Sequence, residues 1–385
     1  STAETYEDAV EVAGRIGYPL LVRPSYVLGG RGMAIVYDSK SLRTYMDEAA
    51  HVTPDHPVYL DSFLEDAVEL DVDALADGTE CYVGAVLEHI EECGIHSGDS
   101  ACCTPPFSLS DKLVERVCEI TRQLALATGV RGLMNVQYAV KDNTVSVIEM
   151  NPRASRTVPF SSKATGVPLA KYAALIMQGA KIADLNLPAS NRELGYYACK
   201  EAVMPFGRFP GADVVLGPEM KSTGEVMGIG RSFPEAYAKT QLAIDYSLPT
   251  EGTCFISVND RDKRNVIPIA RDLSNLGFKI VSTSGTAKAL RAAGIEVEVA
   301  RRMSEMHPNI GDVIAAGGIQ FMINTPGGAG TRNDGFKLRS AAVRHSLCYV
   351  TTLSAASAFV SAIQLVQRSK LEAFALQDLA SMGEE

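Results

Sequence analysis

The sequence predicts an α/β chain in two unlike parts. A mixed α+β part runs from 1 to 245, and a doubly wound, mostly parallel sheet runs from 246 to 385. Three observations predict this. From about residue 252, five short apolar runs (253–258, 278–282, 295–299, 319–324, 347–351) alternate with helical stretches at 261–276, 286–293, 309–316, 334–344 and 354–370. Strands interleaved with helices give a parallel sheet covered on both faces. Upstream, strands follow one another directly, which is the order of an antiparallel meander. A length of 385 residues calls for two or three domains.

Residues 5–16 carry a helical stripe of Ala9, Val10, Val12, Ala13 and Ile16. A strand at 19–24 leads into the loop 25–33, with Ser25, Gly29, Gly30, Arg31 and Gly32, and a strand at 34–37 follows. Ser39 caps a helix to residue 50. Strands at 58–63, 69–76 and 80–89 read as a meander. A helix at 110–128 stops at Gly129. A hairpin then pairs 131–140 with 145–150 around the loop Asp142-Asn143-Thr144, a length that sets Gln137 opposite Glu149. Residues 185–250 mix Gly, Pro and short apolar runs without a clear period.

Composition narrows the function. A net charge of −10 and a pI near 5.2 argue against nucleic acid as a partner. The eight cysteines have no zinc spacing, which suits free thiols in a reducing, cytoplasmic compartment. No apolar run has the length of a membrane span. The polar opening from Ser1 to Thr5 reads as the entry to a helix partway through something larger.

The segment from Glu149 to Arg156 concentrates the chemistry. Glu149 and Asn151 share a strand face, and Pro152 ends the pairing. With Gln137 they make an oxygen-only donor set of the kind Mg²⁺ accepts while it holds substrate phosphates, and Arg153 and Arg156 lie just beyond. The competing view is an exposed polar strand face, against which stands the apolar run Val145 to Ile148. The Gly29–Gly32 loop, with Arg23 before it, reads as a phosphate cradle or a plain glycine hairpin. Asp61, Glu65, Asp66, Glu69, Asp71 and Asp73 form an acidic cluster, for the most part a solubilising face, with one carboxylate free to meet a ribose. His96, in the small-residue turn Gly94 to Ser100, is a general base or a structural member of a nucleotide loop. In the second part, 282–286 and 324–328 end strands on the carboxyl edge, where an anion site or ordinary helix capping is expected.

Several of these stretches together resemble the large subunits of carbamoyl phosphate synthetases. They are Val22 to Arg31, Glu88 to Glu91, His96 to Ala101, Arg131 to Gln137, Arg156 to Pro168, Leu216 to Met220 and Ser222 to Gly228. The resemblance runs over essentially the whole chain. It points to the second, carbamoyl phosphate-forming half of such a subunit: an ATP-grasp domain at 1–245 and a methylglyoxal-synthase-like allosteric domain at 246–385. It implies ATP-dependent phosphorylation of carbamate, within glutamine-dependent synthesis serving pyrimidine and arginine biosynthesis. The implied cofactors are ATP and two Mg²⁺ or Mn²⁺ ions, with K⁺ as an accessory. Implied partners are the glutaminase small subunit, the N-terminal half of the large subunit and a phosphorylated effector, in an oligomer of heterodimers.

Carried over by residue, the resemblance assigns ATP to Arg23, Gly29, Gly30, Arg31, Ser62, Leu64, Glu69, Gly94, Ile95, His96, Ser97, Gln137 and Glu149. It assigns metal to Gln137, Glu149 and Asn151, and the transferring phosphoryl group to Arg153. Lys263, Thr283, Thr286, Arg302 and Asn324 receive the effector. Arg302 and Pro326 depart from nucleotide-regulated relatives, which carry lysine and threonine there. Asn324 replaces the carboxylate of the catalytic relative, so methylglyoxal synthesis is not expected. The pre-ATP-grasp region of the family lies before Ser1. That leaves two alternatives: a catalytically inert nucleotide-binding and regulatory module, or another ATP-grasp ligase.

Overall fold

A computed structural model describes residues 1–25, 32–52, 57–189, 194–209, 212–326 and 332–379. Three sheets organise them. The first is antiparallel, in the order β1 (Thr2–Ala3), β4 (Val58–Ser62), β2 (Leu20–Pro24), β3 (Ala34–Val36). Helices α1 (Tyr6–Ile16) and α2 (Ser39–Val52) accompany it. Thr5 and Asp8 form a reciprocal cap that fixes the start of α1, each side chain bonding the other's backbone N–H at 3.1 Å. Ala9, Val12 and Ala13 are buried, whereas Val10 of the expected stripe is 40% exposed. The meander expected from 58 to 89 is split, because β4 pairs with β2 and β1 rather than with the strand after it.

The second sheet has seven antiparallel strands. They are β5 (Val68–Asp77), β6 (Cys81–His89), β7 (Cys102–Thr104), β8 (Arg131–Lys141), β9 (Thr144–Asn151), β10 (Tyr197–Val203) and β11 (Gly224–Gly230), in the order β11-β10-β7-β6-β5-β8-β9. Helices α3 (Asp111–Thr128), α4 (Val158–Thr165), α5 (Leu169–Met177) and α6 (Phe233–Ala243) cover it. Val117, Cys118 and Ala125 of α3 pack on Val72, Met134 and Tyr138. At Gly228 of β11 a β-carbon would stand 2.2 Å from Ala236 O, so α6 lies directly on the strand backbone. Strands β10 and β11 and helix α6 fall in the stretch that lacked a readable period. Their glycines and small residues serve this close packing rather than a turn.

The third sheet is parallel, as expected. Its order is β14 (Glu298–Val299), β13 (Lys279–Ser282), β12 (Thr253–Ser257), β15 (Phe321–Asn324), β16 (Cys348–Val350). Helices α7 (Val266–Asn275), α8 (Ser284–Ala292), α9 (Ile310–Ala315), α10 (Arg332–Arg344) and α11 (Leu353–Arg368) wind around it. One apolar cluster runs without a break from Ile90, Cys199 and Tyr237 of the seven-stranded sheet region to Ile256 and Phe359 of the parallel one. Burial of this seam favours the association of the two parts. No helix among the described residues is long and apolar enough to cross a membrane.

Candidate nucleotide and effector sites

The β8–β9 hairpin sets the first site. Gln137 pairs with Glu149, as expected but by a different route, and Asn135 pairs with Asn151. The turn has two residues, Asp142 and Asn143, both at positive φ (49° and 61°), the conformation of a type I′ turn. One extra residue, Ile148, enters as a bulge between the pairs Tyr138–Val147 and Gln137–Glu149, and it restores the register that a longer loop would have given. Gln137, Glu149 and Asn151 therefore share a face. Asn151 Nδ2 donates to Glu149 Oε1 at 2.8 Å, and Gln137 Nε2 lies 3.4 Å from Asp71 Oδ1. Glu149 is exposed and its neighbours Val147 and Ile148 are 45% and 48% exposed, so the apolar run before it is a solvent-facing edge strand and not a buried one. Three side chains with oxygen donors on one accessible face suit a hard divalent cation. Arg153 follows, exposed, with Nη1 on Ala154 O at 3.0 Å.

The acidic alternation on β5 is not a solubilising face. Glu69, Asp71 and Asp73 are 4%, 1% and 0% exposed and form a buried polar network. Asp73 accepts from Ser155, Thr157 and Ser161 hydroxyls at 2.7 Å each and from Asn135 Nδ2 at 3.1 Å, which pins the chain just after Arg153. Burial still holds its carboxyl above the usual range. Burial also raises Asp71, but His89 Nε2 at 2.9 Å, with the Asn135 and Gln137 amides, outweighs that and leaves it lowered. Burial pushes His89 down, while its bond to Asp71 and the Glu69 charge lift it above its ordinary value. His89 Nδ1 is buried without a hydrogen bond, 3.9 Å from Glu69 Oε1.

The loop from Gly94 to Ser100 lies over this network. Glu69 Oε2 accepts from Gly94 N at 3.0 Å, and Gly94 (φ 93°) has no room for a β-carbon, which would meet the Phe63 ring at 2.9 Å. His96 N donates to Gly217 O at 2.9 Å, and His96 Nδ1 accepts from Gly98 N at 3.0 Å. That bond puts the proton of a neutral ring on Nε2, so His96 is a fixed member of the loop rather than a free base. Burial lowers its pKa. Asp99, fully buried, accepts from Lys221 N at 2.7 Å and Ser222 N at 2.9 Å. A cleft opens beside the loop, lined by Ile35, Phe63, Gly94, Ile95, Leu216 and Arg261 among others. The first sheet, the nucleotide-type loop and the parallel domain all meet there.

Arg23 sits on the four-stranded sheet, its Nε 3.2 Å from Asp61 Oδ2 and its guanidinium over the Tyr59 ring. Ser62 is exposed and Leu64 half-buried after β4. Gly29, Gly30 and Arg31 lie outside the described residues, but Gly32 N at the loop's end donates to Glu219 at 3.0 Å. His89, Asn135, Asp99 and Glu219 went unseen as site residues in the sequence, and Asp71 and Asp73 were read there only as members of an acidic run. The signal present was the period-two acidic run itself.

In the parallel domain, Lys263, Thr283, Thr286, Arg302 and Asn324 line one cavity past the carboxyl ends of the strands. Thr283 precedes α8 without capping it, and its hydroxyl lies 3.2 Å from Ser257 Oγ instead. A β-carbon on Gly285 would stand 3.1 Å from Lys263 Nζ, so the lysine lies over the first turn of α8. Arg339, a residue the sequence did not single out, donates to Asn324 Oδ1 at 2.9 Å and to both Asp213 oxygens at 2.8 and 2.6 Å. All eight cysteines are free.

Comparisons with known proteins show the family of the chain. Residues 1–185 match the family model of the carbamoyl-phosphate synthase L chain ATP binding domain, and residues 265–351 match the MGS-like domain. The chain is 52% identical over 383 residues to the carbamoyl phosphate synthase large chain of Methanothermobacter thermautotrophicus, which takes in 99% of this chain and 36% of that protein. It is 51% identical over 377 residues to the large chain of Archaeoglobus fulgidus, 98% of this chain and 35% of that one. It thus spans about a third of the length of these relatives. Among solved structures, a biotin carboxylase–βγ-ATP complex from Campylobacter jejuni aligns with a TM-score of 0.51 at 18% identity, over 64% of this chain and 62% of that one. That likeness speaks to an ATP-grasp-like fold alone.

Proposed function

Since the chain belongs to the carbamoyl phosphate synthase large-chain family through its ATP-binding and MGS-like domains, we propose that it is the carbamate-phosphorylating portion of such an enzyme. The observation that carries this reading is the Gln137–Glu149 pair with Asn151 on the same face, ending at Arg153. Gln137, Glu149 and Asn151 would hold Mg²⁺ or Mn²⁺, which when bound offsets charge on the nucleotide phosphates. K⁺ is proposed as an accessory ion.

The protein's own part is placement. The cleft beside Phe63 and Ile95 receives the base, and Glu69, which holds the Gly94 N–H, is assigned to a ribose hydroxyl. Arg153 offsets charge on the γ-phosphoryl group while a carbamate oxygen attacks phosphorus and the bond to the ADP oxygen breaks. Carbamate is already an anion at the attacking atom, so the site needs no general base, in keeping with His96 being fixed in its loop.

We divide the chain at 245/246 and assign the cavity of Lys263, Thr283, Thr286, Arg302 and Asn324 to a phosphorylated or carboxylated effector. The proposed setting is cytoplasmic, with a glutaminase small subunit and the rest of a large chain as partners, in an oligomer of heterodimers. Pyrimidine and arginine synthesis would use the product. The test is Glu149→Ala. Metal-dependent MgATP turnover and binding should fall away with the fold intact, and turnover equal to the unaltered chain would remove the metal assignment. Titration of the second domain with UMP, IMP and N-acetylglutamate identifies the effector.

A further inference from the structure

Lys200 is 1% exposed and among the largest fully buried side chains of the molecule. It lies on β10 opposite Cys102 of β7, which in turn pairs with His89 of β6. Direct partners across antiparallel strands project to one face. His89 bonds Asp71, and Asp71 pairs with Gln137, itself opposite Glu149. The Lys200 side chain thus enters the same sheet face as the candidate metal ligands.

Its Nζ donates to Ser97 O at 3.2 Å and Gly98 O at 3.4 Å, and no carboxylate of the described residues forms an ion pair with it. A buried ammonium held by two long bonds to carbonyls is expensive for the fold. The loop does not need it as a fastening, because Glu69, Gly217 and the backbone N–H groups of Lys221 and Ser222 already hold residues 94, 96 and 99. The charge has a use where phosphates approach a face lined by Glu69, Asp71 and Asp73.

We propose that Lys200 is a positioning residue for the nucleotide phosphates: it turns the Ser97 and Gly98 carbonyls inward beneath the loop and supplies positive charge to a face lined by Glu69, Asp71 and Asp73. This rests on the nucleotide reading above. The experiment compares the full chain with Lys200→Met and Lys200→Arg, by titration with MgATP and with adenosine, and by thermal unfolding. Lys200→Met should melt no lower than the unaltered chain, bind MgATP about tenfold more weakly or worse, and bind adenosine unchanged. Lys200→Arg should recover most of the MgATP affinity. Equal MgATP affinity in Lys200→Met overturns the inference, as does a lowered melting temperature or unfolding of that variant, which would mark a lysine the fold requires. An unaltered chain that binds no MgATP overturns the nucleotide reading itself, a result distinct from either.

Discussion

Asp73→Ala is the perturbation that should reach furthest from a single buried atom group. Asp73 collects four hydrogen bonds, from Ser155, Thr157, Ser161 and Asn135. Removing the carboxylate strands these donors in a region with no exposure at Asp73. A buried donor left unpaired costs about 1–3 kcal/mol. Ser155 and Thr157 can bond each other, since their hydroxyls already lie 2.7 Å apart, which leaves Ser161 and Asn135 as the main losers. Relief of the carboxylate's own burial offsets part of the loss. The expected net is roughly 3 kcal/mol for Asp73→Ala and under about 1 for Asp73→Asn, which keeps an acceptor and the shape. The chain has no tryptophan, so urea unfolding is followed by tyrosine fluorescence and circular dichroism. Because the bonds pin residues 155–161 just after Arg153, Asp73→Ala should also slow MgATP turnover. An alanine variant within about 1 kcal/mol of the asparagine variant, with equal turnover, refutes the hub.

Gly228→Ala should cost several kcal/mol, since its new methyl meets Ala236 O at 2.2 Å and Thr240 N at 2.9 Å. Gly224→Ala on the same strand, whose nearest neighbour is 3.9 Å away, should be tolerated, and equal melting temperatures would contradict the α6–β11 contact. Burial pushes the Glu201 carboxyl up to about 7 from 4.5, with the Glu91 charge adding to it. The folded chain therefore keeps a proton that the unfolded chain loses, and stability falls as pH rises from 4.5 to 7. At about 1.4 kcal/mol per pK unit the penalty above pH 7 reaches roughly 3 kcal/mol. Glu201→Gln should then melt near the unaltered chain at pH 5 and above it at pH 8, and a shift equal at both pH values would count against this.

The parallel domain was legible because its apolar runs and helices alternate at lengths that leave few other arrangements. The hairpin was legible in outcome but not in mechanism. Sequence showed Asp142 and Asn143 as turn residues, but not that both adopt positive φ or that Ile148 bulges to restore the register. The period-two run Glu69, Asp71, Asp73 was visible, yet a charged strand face ordinarily meets water. Its partners His89, Asn135 and Ser161 come from elsewhere in the chain, and only the fold brings them to it. Strands β10 and β11 were hidden for a similar reason: glycines that look like turn formers instead make room for a helix. Arg339 carried no local signal at all, because its meaning lies in Asp213, far away in sequence.

Reverse phosphoryl transfer tests the proposed carbamate phosphorylation at the reacting group itself. The chain is supplied with carbamoyl phosphate and MgADP, and ATP formation is measured beside Glu149→Ala. Mg²⁺-dependent ATP is expected from the unaltered chain and none above background from the variant. No ATP from the unaltered chain, or equal ATP from both, would contradict it.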